Sequence, residues 1–160
     1  MSEQPGRGEP GGSHPRRRRH ARPIAICVIR DVDRIFVSEG RDSHKQETFY
    51  RTLGGTIEFG ERGEQTVRRG LLEEIRAEIT SLRYLGTLEN IFMLEGVPGH
   101  EIVLVYEGDF VDGSMYGRPV IVGQEGEKAI EAKWMPVADF RNGMSHLYPE
   151  GLLELLDRDP

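Results

Sequence analysis

The segment from Gly55 to Glu78, GTIEFGERGEQTVRRGLLEEIRAE, constrains this chain more than any other part of it. A glycine-rich stretch passes directly into a helical pattern in which Val67, Leu71 and Ile75 recur at i, i+4 and i+8 as one apolar stripe. The helix is expected to start within Glu61 to Gln65 and to run to about Ala77. It carries the adjacent carboxylates Glu73 and Glu74, with Arg69 one turn before Glu73. Gly54 and Gly55 allow positive φ and close approach of backbone carbonyls, while a rigid helix supplies hard oxygen ligands. Together they suit Mg²⁺ or Mn²⁺ held against a diphosphate. On a helical wheel Glu73 and Glu74 flank a strip formed by Gly70 and Ala77. A mid-helix glycine costs roughly 1 kcal/mol relative to alanine. Gly70 therefore marks either a close packing contact or a lost carboxylate that was not replaced.

A chain of 160 residues is the size of one domain. Its charge is uneven: six arginines against two glutamates give residues 1 to 22 a net charge of +4 and leave −10 for the rest, against −6 overall. Residues 1 to 22 are rich in Gly, Pro and Arg with almost nothing to bury, and they are expected to form a disordered basic arm. Arg16 to Arg19 could bind nucleic acid or acidic lipid, but a short basic tail is more often solvated, so nucleic acid is not expected as the main partner. The acidic remainder argues against a duplex as the partner of the folded part and suits local neutralisation by metal cations. The one cysteine, Cys27, lies in an apolar run, which excludes an internal disulfide and points to a core residue in a reducing compartment. No apolar run of about 18 residues is present, so no membrane span is expected and a cytoplasmic location is.

The domain, residues 23 to 160, is expected to begin with strands at Ile24 to Ile29 and Arg34 to Val37, joined as a hairpin around Asp31 to Asp33. Thr48 to Leu53 delivers the chain into the two glycines. Further strands are expected at Arg83 to Phe92, Glu101 to Val111 and Ala129 to Met135. Pro149 opens a C-terminal helix at Glu150 to Leu156. Ile102 to Tyr106 is apolar at every position, which marks a central strand. The order of elements implies an α/β fold with a mixed sheet between helices.

The long spacings in the first segment resemble the Nudix hydrolase signature, G-x5-E-x7-R-E-U-x-E-E-x-G-U with U aliphatic. Gly55, Glu61, Arg69, Leu71, Glu73 and Glu74 match, whereas Gly70 stands where the signature has glutamate and Arg76 where it has the late glycine. The resemblance extends less specifically from about Pro23 to Leu156, and it implies an α/β/α sandwich. It also implies a Mg²⁺- or Mn²⁺-dependent hydrolase of a nucleoside diphosphate linked to another moiety, of the MutT-like kind, with a homodimer as a common state. On that resemblance Glu73, Glu74 and the Gly55 carbonyl are metal ligands and Arg69 orients carboxylates, Glu61 or Glu73. Taken alone, Arg69 and Glu73 would read as a solvated i,i+4 pair.

Gly70 cannot supply the carboxylate that many family members use as ligand or base. Glu101, at the start of a buried-looking strand, is the candidate for both duties, with His100 as an alternative base and Glu58 and Glu89 behind them. A His-Glu pair at a strand end facing water is the competing reading. Arg51 is placed to reach a phosphate or else faces solvent. Phe92 and Tyr148, like Phe49 and Tyr50, could stack on a base, although strand aromatics are more often core. The alternative function is a nucleotide-binding module of the same kind with weakened catalysis, for which Gly70 is the motive.

Overall fold

The computed structural model describes residues 19 to 158. Most of the expected arm, residues 1 to 18, therefore lies outside the described residues. Arg22, assigned above to the arm, instead belongs to the first strand, β1 (Arg22–Asp31). Its charge has a partner on a neighbouring strand, which is what draws the sheet boundary further back than the apolar run suggests.

β1 turns at Val32 and Asp33 into β2 (Arg34–Asp42), the expected hairpin, with Asp31 opposite Arg34. Next come β3 (Glu47–Arg51), β4 (Leu53–Thr56) and helix α1 (Gly63–Ile75). A long hairpin follows, β5 (Ile79–Leu94) and β6 (Val97–Phe110), and then a 3-10 turn at Gly113–Gly117. The chain closes with β7 (Val120–Glu125), β8 (Lys128–Pro136), α2 (Val137–Arg141), β9 (His146–Tyr148) and α3 (Leu152–Arg158). The short elements β7, α2 and β9 were not expected, and β5 and β6 extend beyond their expected ends because they pair out to Leu94 and Val97 at the hairpin tip.

The nine strands form one mixed sheet in the order β5-β6-β1-β2-β3-β9, with β4 on β1, β8 on β2 and β7 on β8. β1 runs parallel to β6, and β3 parallel to β9. Alternate residues of β1 enter two cores. Ala25, Cys27 and Ile29 pack with Val67, Leu71 and Ile75 of α1, whereas Ile26 and Val28 pack with Phe140, Leu152 and Leu156 of α2 and α3. Burial on both faces makes β1 central, with the mixed sheet between helices that the order of elements implies and the α/β/α sandwich that the resemblance implies. Burial also pushes the Cys27 thiol up to about 12, so it is an inert core residue.

Helix α1 begins where the Gln65 side chain accepts from the Arg62 backbone N–H at 2.8 Å. It ends at Arg76, which adopts the left-handed conformation at φ 54° and ψ 34°. Its apolar stripe is the expected one.

Candidate active site

A cleft of about 670 Å³ opens where β4 meets the C-terminal half of α1, and Arg51, Gly55, Arg69, Glu73, Glu74, Phe92, Glu101 and Tyr148 all line it. The first-choice ligand, catalytic and substrate-contact residues thus line one cavity, together with Phe49 but without Tyr50. Glu58 also lines it. Glu89 and His100 do not, because they sit one residue out of phase with Asn90 and Glu101 on the paired strands and take the opposite sheet face.

Arg69 holds the loop to the helix. Its Nε and Nη2 donate to the two Glu61 carboxylate oxygens at 2.9 Å each, Nη2 also donates to the Thr56 carbonyl at 2.9 Å, and Nη1 reaches Glu73 at 3.3 Å. The forked guanidinium matches the carboxylate geometry, and the Thr66 hydroxyl donates to the same carboxylate. The Arg69 hydrogen bonds, followed by Thr66, hold Glu61 down at about 2. Arg69 thus hydrogen-bonds to both of the carboxylates considered for it.

Glu74 lies half-buried near the C-terminal end of α1. Burial first, then the charges of Glu125 and Glu73, raise its pKa to about 7, against the opposing pull of Arg51. Glu125 comes from β7 and ion-pairs with Arg51. It reaches the cleft because Gly123, two residues earlier, lets β7 lie against the helix: a Cβ there would stand 2.1 Å from the Glu74 carbonyl oxygen. The run Val120 to Val122 between Pro119 and Gly123 was the sequence signal for this strand, and the acid at its end the signal for Glu125.

At the other side of the cleft Glu101 is held by Arg22, with Nη2 to Oε2 at 2.6 Å. The Phe92 ring lies over Gly99, and Tyr148 meets Phe49 edge-on at 5.5 Å while its hydroxyl donates to Glu47. Asn90 and Thr52 also line the cavity, two buried polar residues that no motif singles out.

Among the described residues no three His, Cys, Asp or Glu side chains stand close enough to hold an ion between them, so Glu101 is not gathered with Glu73 and Glu74 into one ligand set. The donor chemistry at α1 nonetheless fits a hard divalent cation. The groups are all oxygen, and Glu74 carries an excess of neighbouring negative charge that a cation would relieve.

A family model described as NUDIX domain matches residues 19–156. The chain belongs to the Nudix family. The NAD-capped RNA hydrolase NudC of Pseudomonas aeruginosa PAO1 is 34% identical over 112 residues, 70% of this chain and 35% of the relative. That of Pasteurella multocida Pm70 is 30% identical over 133 residues, covering 83% and 44%. Human "NAD(P)H pyrophosphatase NUDT13, mitochondrial" is 36% identical over 62 residues, covering 39% and 17%. The matched stretch thus spans less than half of each of these relatives. Among solved structures, the MutT NUDIX hydrolase of Burkholderia pseudomallei superposes with a TM-score of 0.64 at 17% identity, covering 89% of this chain and all of that one. A NUDIX hydrolase from Nitrosomonas europaea gives 0.62 at 14% identity, covering 86% and 87%. These likenesses show the fold.

Both departures from the Nudix signature now have a structural setting. Gly70 faces Gly54 so closely that a Cβ on it would stand 2.7 Å from the Gly54 carbonyl oxygen. A Cβ on Gly54 would in turn stand 2.0 Å from the Ala25 carbonyl oxygen. Of the two reasons offered for Gly70, close packing is the one observed. Arg76, at the late-glycine position of the Nudix box, takes the left-handed backbone that glycine adopts without strain.

Proposed function

We propose that this Nudix chain is a divalent-metal-dependent diphosphatase that hydrolyses a nucleoside diphosphate linked to another moiety, giving a monophosphate and a second phosphorylated product. The observation that carries the reading is the Arg69 clamp, which fixes Glu61, the Thr56 carbonyl and Glu73 beside Glu74 in the cleft. The names of the relatives support dinucleotides of the NAD type as the first substrates to try.

Glu73, Glu74 and the Gly55 carbonyl would hold Mg²⁺ or Mn²⁺. A bound cation supplies neutralisation of the diphosphate oxygens and activation of water. Glu125 of β7 adds negative charge beside Glu74, which position 70 does not. Arg51, now shared with Glu125, offers two N–H groups to a phosphate. Arg69 keeps the ligand-bearing turn and helix in register, so substrate attaches to a site already formed.

The packing at Gly70 favours a second reading, a nucleotide-binding module with weakened turnover, since no glutamate fits there without moving Gly54. One experiment separates the two. Wild type and Glu74→Gln are incubated with NAD⁺, NADH, nucleotide sugars and nucleoside triphosphates, with and without Mg²⁺ or Mn²⁺, and the phosphorylated products are measured. Metal-dependent cleavage that drops by orders of magnitude in Glu74→Gln supports the enzyme. Nucleotide binding without cleavage across the panel supports the module.

A further inference from the structure

One wall of the cleft is the β5–β6 hairpin and another is the β2–β3 hairpin. Phe92, Met93 and Leu94 line it from the first, and Asp42, Lys45 and Phe49 from the second. The β5–β6 hairpin overhangs the sheet. β1 pairs with β6 from Glu101 onward, so among the described residues 91 to 100 pair only with one another. A two-stranded ribbon is marginally stable by itself, so this tip forms a fixed wall only where something holds it.

The hold is a reciprocal set of bonds to the β2–β3 turn. Asp42, 2% exposed, accepts the Glu95 backbone N–H on Oδ2 at 3.2 Å and the Lys45 backbone N–H on Oδ1 at 3.0 Å. Glu95 in return accepts the Ser43 backbone N–H at 2.6 Å and the Ser43 hydroxyl. The Lys45 ammonium donates to the Met93 carbonyl at 2.7 Å and stands 3.8 Å from Asp42. These bonds hold both carboxyls below their ordinary range, Asp42 chiefly through the Lys45 N–H and Glu95 chiefly through the Ser43 hydroxyl. Just inside this clasp each wall carries a phenylalanine laid over the glycine opposite it. A Cβ on Gly99 would stand 2.3 Å from the Phe92 ring, and one on Gly40 would stand 2.5 Å from the Phe49 ring. Two rings held down on two walls of one cleft bound a slot for a flat group.

We propose that Asp42 and Glu95 are positioning residues for the substrate: by tying the hairpin tip to the β2–β3 turn they fix the gap between Phe92 and Phe49, and that gap takes a planar ring attached to the diphosphate. Neither carboxylate touches the ring. The selection deepens the diphosphatase reading and rests on it for the diphosphate itself. The two carboxylates differ in what they tolerate. Asp42 uses both oxygens on backbone N–H groups, so Asp42→Asn turns an NH₂ donor toward one of those donors and breaks the tie. Glu95→Gln keeps it, because the amide oxygen still accepts the Ser43 N–H and the amide NH₂ donates to the Ser43 hydroxyl oxygen.

Binding is read without turnover. The α,β-methylene analogues of ADP, GDP, CDP and UDP, and methylenediphosphonate, are titrated into the full chain with Mg²⁺ and followed by calorimetry. All carry a diphosphate whose bridge resists hydrolysis, and methylenediphosphonate carries no ring. At least one nucleotide analogue is expected to bind wild type about tenfold more tightly than methylenediphosphonate. Asp42→Asn, checked for folding by thermal melting, should bring that ratio near one while its affinity for methylenediphosphonate is unchanged. Glu95→Gln should keep the wild-type ratio, and Phe49→Leu or Phe92→Leu should lower it. Should Asp42→Asn fail to fold, Ser43→Ala, in the exposed turn, is expected to lower the ratio about two- to threefold through loss of one hydrogen bond. No preference for a ring in wild type, equal weakening of both kinds of ligand in Asp42→Asn, or a ratio that survives both Asp42→Asn and Ser43→Ala would overturn the proposal. Hydrolysis of dinucleotides with the ratio intact across the clasp variants would sink the clasp and leave the diphosphatase standing. A ratio that collapses in Asp42→Asn, with no substrate hydrolysed by wild type, would do the reverse.

Discussion

Gly70 of α1 and Gly54 of β4 meet backbone to backbone, with 2.7 Å between the site of a Cβ on Gly70 and the Gly54 carbonyl oxygen. Gly54 cannot retreat, because β1 lies directly behind it. Restoring the signature glutamate by Gly70→Glu is therefore expected to destabilise the fold by about 1 to 3 kcal/mol, the usual range for overpacking, and to lower activity. Chemical denaturation and steady-state kinetics check both. A variant that is as stable as wild type and more active would show that the space exists.

Arg76 is expected to behave in the opposite way. It closes α1 at φ 54°, with its backbone N–H bonded to the Leu72 carbonyl at 3.0 Å. A left-handed conformation costs a non-glycine residue about 1 to 2 kcal/mol, and glycine's extra unfolded-state entropy returns part of that. Arg76→Gly should raise stability by about 0.5 to 1 kcal/mol with kcat unchanged, measured by the denaturation midpoint.

The Glu61 carboxylate gives an acid-side signature. Its folded-state pKa is about 2 against an ordinary value of 4.5, with the Arg69 hydrogen bonds as the main cause. A depressed carboxylate pKa means stability that is complete above about pH 4.5 and is lost as pH falls toward 2. Glu61→Gln keeps an acceptor for Arg69 but does not titrate. Its melting temperature should change less than that of wild type between pH 5 and pH 2.5; parallel curves would show that the clamp contributes nothing to the acid transition.

The long elements and the cleft were legible in the sequence for different reasons. Val67, Leu71 and Ile75 define α1 because helix periodicity persists over its whole length, and Ile102 to Tyr106 marks a central strand, β6 between β5 and β1, because it is apolar at every position. The box residues could be placed together because spacing along one loop and one helix survives folding. Arg22, Asn90 and Glu125 could not. Their positions depend on register between strands far apart in the chain, as when Asn90 falls opposite Glu101 and Arg22 beside it. β7 is a short strand whose place is set by the contact of Gly123 with α1. The role of Gly70 was left open for the same reason, since its partner lies on a different strand.

Glu125 provides the last prediction. It ion-pairs with Arg51, and after burial it is the main influence that raises Glu74. A half-buried carboxylate and an exposed one held near one another without a cation repel, and a divalent ion relieves that repulsion. Glu125→Gln removes one negative charge while keeping the shape. It should lower the Glu74 pKa toward the ordinary carboxylate range, read from its side-chain carbon resonance, and should weaken Mn²⁺ binding by about tenfold or more, the range seen when a metal site loses a supporting carboxylate. Arg51→Leu releases Glu125 and removes a competing positive charge, so Mn²⁺ should then bind more tightly in the absence of substrate. If Mn²⁺ affinity is the same in wild type and Glu125→Gln, the hairpin carboxylate takes no part in the metal site, and Glu73 and Glu74 with backbone oxygen must suffice.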